Sequence, residues 1–446
     1  MVLKGGKVCY IGSTFLLSSM INKNLQRYRL LAGLTQSALA EAAGISRNAY
    51  RKVETGETEP RFDTLKQIAS ALEVDVQDLM QQVKGLQQVR FRALKGSRAT
   101  RQREAGREHL IHSTAIWLDR YNELERMLSA EMQVPSWMEQ TYRSPAEAAQ
   151  HVRHRLSVCR QCPVVQICDL LEEKVKFRHF DSDMEKIFGF SVGPADRGPV
   201  IAVNVSPKIS VERVIFTAAH ELGHLVLHLN GFDSGEATKE SDEEEKEANE
   251  FAGQFLMPDE LFAEAWHHTR GIELFHRVMK IKHQFFVSYQ AVLHRLVSLS
   301  LANSEIWFVF NGILKDRLGP RRKYEEPMKL SDEAYAGHNW RRANEAHALD
   351  AHVFWEDRLD NLVRQALEDH VLNLGQAAEL LEIKLDQMRD RRKTWQLELS
   401  PEPHTPRSDI WDSWEKRRQR FGPLTEEFEL PPRDQTHRPG PFEGDA

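Results

Sequence analysis

Cysteine is scarce in this chain, with four residues in 446, at positions 9, 159, 162 and 168. So few cysteines cannot staple a small secreted scaffold, and the fold must rest on apolar cores. Hydrophobic residues make up 41% of the sequence, enough for two or three domains of ordinary size. Long apolar runs are also missing, and none approaches the ~18 residues needed to span a bilayer. The first 20 residues hold Lys4, Lys7 and a short Phe15-Leu16-Leu17 run. They lack the long apolar core and small-residue cleavage site of a secretory leader, and they are expected to form a flexible extension, with Met20 as an alternative start. A cytoplasmic protein without a membrane partner is the expectation.

Charge is unevenly distributed. Residues 1–110 carry 18 Lys/Arg against 10 Asp/Glu, a balance of +8, which leaves −14 for the rest of a chain whose net charge is −6. A basic front joined to an acidic body suits nucleic-acid contact at one end only. Arg90, Arg92, Lys95, Arg98, Arg101, Arg103 and Arg107 extend this basic character, either as phosphate contacts or as a solvated linker.

The most informative motif is His220-Glu221-Leu222-Gly223-His224, within an apolar run starting at Val211. Two histidines four apart on a helix project from one face and can share a zinc ion, with the intervening Glu221 placed as a general base. Ser210 is positioned to cap this helix, which is expected to be buried and to end near Asn230-Gly231. A zinc site needs a third protein ligand. His228 lies about 12 Å along the axis from His220, too far to share the ion. A third histidine in the metzincin spacing is absent, since Leu227 and Asn230 occupy the diagnostic places. The acidic stretch from Glu240 supplies the remaining candidates. At about 100° per residue, Glu245 shares a sector with Ala248, Asn249, Ala252, Phe255 and Leu256, whereas Glu247 points the opposite way. Glu245 is the predicted ligand.

These residues, with the Glu245-x-x-Ala248-Asn249-x-Phe251-Ala252 run and Leu256-Met257-Pro258, resemble the ImmA/IrrE family of zinc metallo-endopeptidases over roughly residues 146–300. The resemblance implies His220, His224 and Glu245 as zinc ligands and Glu221 as catalytic base. It also implies a mixed fold with a small sheet, for which Val200-Ile-Ala-Val-Asn-Val205 is the clearest strand. Zinc lowers the pKa of water towards about 7, and Glu221 would move the proton to the leaving amine. No residue is assignable as a second oxyanion donor.

A second signal lies nearer the N-terminus. Thr35 can cap a helix to Ala42, Gly44 suits a left-handed turn, and Ser46 can cap a second helix. Leu39, Ala40, Ile45, Tyr50 and Val53 can pack the two helices together, leaving Gln36, Arg47, Asn48, Arg51 and Lys52 polar. Such side chains at helix starts suit base edges and phosphates in a major groove. Residues 22–82 resemble the Xre (Cro-type) DNA-binding domain, which implies contacts with a double-stranded DNA operator through Gln36 and the helix from Ser46 to Val53. Cro-like domains read operators as dimers, so a homodimer is expected.

Other segments are less specific. Cys159-Arg-Gln-Cys162 with Cys168 could hold a second metal or act as a redox pair, yet no fourth ligand is evident, and neither role is expected. Leu110 to Met132 reads as a connector helix, with Trp117, Tyr121, Leu124 and Leu128 on one stripe. Trp355 to Trp395 reads as two or three helices, including a second helix-turn-helix-like unit. Glu382 stands at its turn where glycine is usual, which favours packing over DNA contact.

The expected whole is mostly α with a small β-sheet (α+β). Its segments are a flexible extension (1–20), a five-helix Xre-type domain (21–82), a basic and helical connector (83–145), a zincin-like peptidase domain (146–300), a C-terminal helical module (301–399) and a disordered tail (400–446). The expected activity is DNA-bound, zinc-dependent cleavage of a repressor or antitoxin-like protein. The alternative is a transcription factor whose silent zincin domain senses a ligand or partner.

Overall fold

The computed structural model describes residues 11–80, 86, 89–93, 101–159, 162–164, 166–182, 187–206, 209–229, 242–318 and 357–399. The expected tail, Lys95 and Arg98 of the basic connector, and the Asn230-Gly231 helix end lie outside these residues.

The N-terminal domain consists of α1 (Ile11–Leu31), α2 (Gln36–Ala42), α3 (Arg47–Glu54), α4 (Phe62–Ala71) and α5 (Val76–Met80). α1 begins at Ile11, inside the stretch expected to be an unstructured extension. No glycine or proline intervenes between Ser13 and Ala32, so nothing in the sequence stops this helix from propagating backwards. Thr35 and Ser46 cap α2 and α3, each hydroxyl accepting a backbone N–H at 3.1 Å. Between them Gly44 adopts φ +68, a conformation costly for residues with a Cβ. Leu25, Leu39, Ala40, Tyr50, Val53, Leu65, Ile68 and Leu79 form the core. A buried fork from Arg29 to Glu54, with bonds of 3.0 and 2.6 Å, ties α1 to the end of α3.

β1 (Val89–Ala93) follows, drawn from the stretch read as connector, and then α6 (Arg101–Met127). The next elements are α7 (Pro145–Arg155), α8 (Ile167–Leu171), β2 (Lys176–Phe180), β3 (Ile187–Val192), β4 (Val200–Asn204) and α9 (Val211–Leu227). After α9 come α10 (Asp242–Leu256), α11 (Asp259–His268), α12 (Leu274–Phe285), α13 (Tyr289–Ser298) and α14 (Ile306–Leu318). Among the described residues the sheet has four strands in the order β1-β3-β4-β2, with β2 and β4 parallel and the other pairs antiparallel. Strand alternation divides its faces. Phe177, Ile201 and Val203 share a core with Ile215, Ala218 and Leu222 of α9. Lys176 and Arg178, out of phase with Phe177, meet α6 instead, where Lys176 pairs with Glu125 at 3.0 Å and Arg178 donates to Thr114.

The C-terminal module comprises α15 (Asp357–Glu368), α16 (Leu374–Leu380) and α17 (Leu385–Leu399). The first compact unit ends at Met388, and the rest of α17 belongs to a second. Arg358 at the start of α15 joins the buried Lys176–Glu125 pair, contacting Glu125 at 2.6 Å and the Tyr121 hydroxyl at 2.9 Å. Glu172 accepts the first backbone N–H groups of α15, from Asp357 at 2.9 Å and Arg358 at 3.1 Å. Two cations sharing one buried carboxylate offset the cost of desolvation that an isolated charge would meet.

Candidate metal centre

α9 is almost wholly buried; Ser210 stands at its N-cap without the expected side-chain cap bond, and Glu212 occupies the first turn. Glu212 also pairs with Lys282 of α12, anchoring the helix start in the core. Close packing against α10 requires a small residue in the motif itself. A Cβ on Gly223 would lie 3.1 Å from the Phe251 ring and 3.3 Å from Ala248 backbone atoms. This Gly223–Ala248 contact brings α10 onto the histidine face of α9.

The predicted ligands converge. His220 Nε2 and His224 Nε2 are 3.0 Å apart, and the Glu245 carboxylate lies 3.2 Å from His224 Nε2 and 3.6 Å from His220 Nε2. One donor atom from each residue falls within 4.8 Å of the others, and this is the one such group of three found among the described residues. Burial raises the Glu245 pKa, but hydrogen bonds and charge from His220 and His224 outweigh it and hold the carboxylate below its usual range. Two imidazoles and one ionised carboxylate match the donor set of a catalytic zinc site.

The far nitrogens of both histidines are also held. His220 Nδ1 lies 3.1 Å from the Asn249 side-chain oxygen, so it carries the proton and leaves Nε2 for a metal. His224 Nδ1 lies 3.1 Å from His228 Nδ1, and His228 Nε2 lies 2.8 Å from Glu247. If His224 ligates through Nε2, its Nδ1–H donates to His228, whose Nε2–H donates to Glu247. His228, set aside as a ligand for distance, is instead bonded to a predicted one. Glu247 does not point away as expected, because the tight helix contact lets its side chain reach α9. The signal for this relay was the His224-x-x-x-His228 spacing, which puts the two rings on one helix face.

Glu221 is fully buried and accepts a 2.8 Å hydrogen bond from Ser191 of β3. A Cβ on nearby Gly189 would sit 2.4 Å from Thr217, 2.8 Å from the Ala202 carbonyl and 3.6 Å from the Glu221 side chain, so β3 packs against α9 beside this carboxylate with no room for a side chain. Ser191 and Gly189 fall in a strand with no motif, and sequence reading passed over both.

At the N-terminal surface Ser46, Arg47, Asn48 and Lys52 are exposed along α3. Gln36 instead donates to Glu54 at 3.3 Å, Arg51 pairs with Glu57 at 2.7 Å and the Ser46 hydroxyl caps α3, so three of the six predicted DNA-facing residues are engaged within the domain.

Comparison with known proteins agrees with this division. Residues 25–79 match the helix-turn-helix family and residues 161–297 the IrrE N-terminal-like domain. The chain is 37% identical over 59 residues to the cryptic phage CTXphi transcriptional repressor RstR of Vibrio cholerae, covering 13% of this chain and 53% of the repressor. It is 38% identical over 61 residues to the uncharacterized HTH-type transcriptional regulator YqaE of Bacillus subtilis, covering 14% of this chain and 53% of that one. The chain therefore spans about half the length of the curated relatives it matches. Among solved structures, Bacillus thuringiensis PlcR in complex with the peptide PapR7 and DNA aligns over 67% of this chain and 94% of its own at 13% identity, with a TM-score of 0.14. No described helix is long and apolar enough to cross a membrane. Together with the capped helices and glycine turn of the first domain, the two family matches show that this chain joins an Xre-type helix-turn-helix domain to an ImmA/IrrE-like domain.

Proposed function

We propose that the protein is a DNA-binding regulator with zinc-dependent endopeptidase activity, cleaving a repressor or antitoxin-like protein. The convergence of His220, His224 and Glu245 beside Glu221 carries this reading. Zinc held by these residues would activate water near neutral pH and polarise a peptide carbonyl. Glu221 takes a proton from the attacking water and returns it to the leaving amine, while Ser191 fixes its carboxylate. Asn249 and the His228–Glu247 pair set the histidine tautomers. The helix-turn-helix domain, as a dimer on a double-stranded operator, would bring this activity to a promoter in the cytoplasm.

The complete burial of Glu221 favours a second reading, in which the zincin domain senses a ligand or partner without turnover. Zinc content and proteolysis measured together separate the two. Wild type, Glu221→Gln and Glu245→Ala are compared, alone and with candidate substrates, taking first any small helix-turn-helix repressor that a neighbouring reading frame encodes. The protease reading expects about one zinc in wild type and in Glu221→Gln, cleavage by wild type alone, and metal loss in Glu245→Ala. Zinc binding with no cleavage that depends on Glu221 would transfer the case to the sensor. In either reading His228→Ala should weaken zinc binding by roughly 10–100-fold, measured by chelator competition, because His224 loses its orienting partner.

A further inference from the structure

We propose that Cys159 and Cys162 form a reversible dithiol–disulfide site, oxidised by a hydroperoxide and independent of the metal centre. Both cysteines are exposed, on the loop that follows α7. The Cys162 backbone N–H donates to the Cys159 carbonyl at 3.2 Å, closing a turn between residues three apart. Such turns hold their end Cα atoms within about 7 Å, the span a disulfide bridges.

Arg153 fixes that turn. Its guanidinium is buried and donates to the carbonyls of both cysteines, at 3.0 Å to Cys159 and 2.7 Å to Cys162. Its other end donates to the Phe255 carbonyl of α10 at 2.6 Å, so the clamp is rooted in the core. A turn held at both carbonyls keeps the two cysteines close together within one chain, which favours an intramolecular bond over one between chains. The thiols are hydrogen-bonded to each other, and this bond, with burial and the Cys159 charge, raises the Cys162 pKa against the lowering effect of Arg153. The raised Cys162 pKa assigns Cys159 the part of attacking thiolate and Cys162 that of resolving thiol in this proposal. The described residues supply no further ligand to make this pair a metal site. Cys168 is buried, with its sulfur 3.9 Å from His179 Nε2.

In the reaction, the Cys159 thiolate attacks the hydroperoxide, forming a sulfenic acid and releasing hydroxide, or alkoxide from an organic peroxide. The Cys162 thiol then attacks that sulfur, the S–S bond forms, and water leaves with the proton. Two thiols are oxidised and one peroxide bond is reduced.

The test uses the full-length protein, reduced and then exposed to hydrogen peroxide before alkylation and tryptic digestion. Trypsin cuts after Arg160, between the two cysteines, so an intramolecular bond leaves two peptides joined until a thiol reductant separates them. The expected result is that linked pair, localised by fragmentation to Cys159 and Cys162, from a protein that stays monomeric on a non-reducing gel. Cys162→Ser should abolish the link and leave Cys159 to over-oxidise. The proposal is overturned if both thiols are alkylated after peroxide, if both reach sulfinic or sulfonic acid, or if bonds form between chains. It is equally overturned if Cys159→Ser releases a second zinc ion per chain.

Discussion

The chain contains the same helix-turn-helix frame twice and uses it in two ways. Thr35, Gly44, Ile45 and Tyr50 of the first unit correspond in order to Asn373, Glu382, Ile383 and Met388 of the second. Both N-caps accept a backbone N–H, both turn residues have positive φ (+68 and +53), and Tyr50 and Met388 are both fully buried. The contents differ where a partner would meet them. Arg47, Asn48 and Lys52 are matched by Leu385, which offers phosphate no charge, and by Asp386 and Asp390, which would repel it. Gly44 faces open space, whereas the Glu382 carboxylate bonds to buried Arg178 of β2 at 2.8 Å. Arg120 of α6 adds a 3.0 Å pair with Glu379. The frame is thus a backbone solution that side chains direct either towards nucleic acid or against the chain's own sheet.

The largest expected contrast concerns how the two units attach to α6. The first packs α1 against a stretch holding His109 and His112, while the second is held by the ion pairs of Arg120 and Arg358. Burial, helped by Arg27 on α1, lowers both histidines from 6.5 to about 4, with Arg178 adding to the effect on His109 and His109 itself adding to that on His112. Above pH 6.5 both folded and unfolded states are neutral there and stability is flat. As the pH falls from 6.5 towards 4 the unfolded chain binds protons that the folded chain does not. Stability should drop by at most about 1.4 kcal/mol per unit for each histidine, levelling off below 4. Urea midpoints at pH 7 and pH 4.5 measure this, and a His109→Gln, His112→Gln double variant should flatten the difference. An unchanged slope would remove the histidines from the account.

DNA binding should follow the first unit alone. Asn48→Ala is expected to cost about 1–3 kcal/mol on a preferred operator and little on other sequences. Lys52→Ala should weaken all duplexes alike and reduce the salt slope by about one. Gln387→Ala and Arg389→Ala should change neither, as measured by fluorescence anisotropy. Loss of binding in the α17 variants would show that the second frame also reads DNA.

Legibility followed the same division. Periodicity, caps and glycine placement in the sequence indicated α2, α3, α9, the α10 face carrying Glu245 and the strand at Val200, because each is decided by local stereochemistry. β1 was missed, since Arg90 and Arg92 read as basic linker and strand pairing depends on the distant β3. Ser191, Glu247 and the partner of Glu382 were hidden for the same reason. Each is defined by an element far away in sequence, and the close packing of α10 on α9 around Gly223 and Ala248 brings Glu247 within reach of His228.

Exchanging the two turn residues gives the sharpest test of the comparison, and its two halves should differ in cause. Glu382→Gly relieves a left-handed backbone worth about 1 kcal/mol but removes the carboxylate from the buried Arg178 and leaves its hydrogen bond to the Thr114 hydroxyl. Breaking a buried pair costs about 3–5 kcal/mol, less here because Glu382 is 47% exposed, so a net loss of about 2 kcal/mol is expected. Gly44→Ala meets no atom within 4 Å, so the added Cβ costs only the backbone term, about 1 kcal/mol, with DNA affinity unchanged for the folded fraction. Urea denaturation of both variants decides the matter. If Glu382→Gly stabilises the protein, the Arg178 pair contributes nothing and Glu382 is merely a tolerated residue in a glycine position. If Gly44→Ala costs as much as Glu382→Gly, the first turn is constrained by more than its own φ.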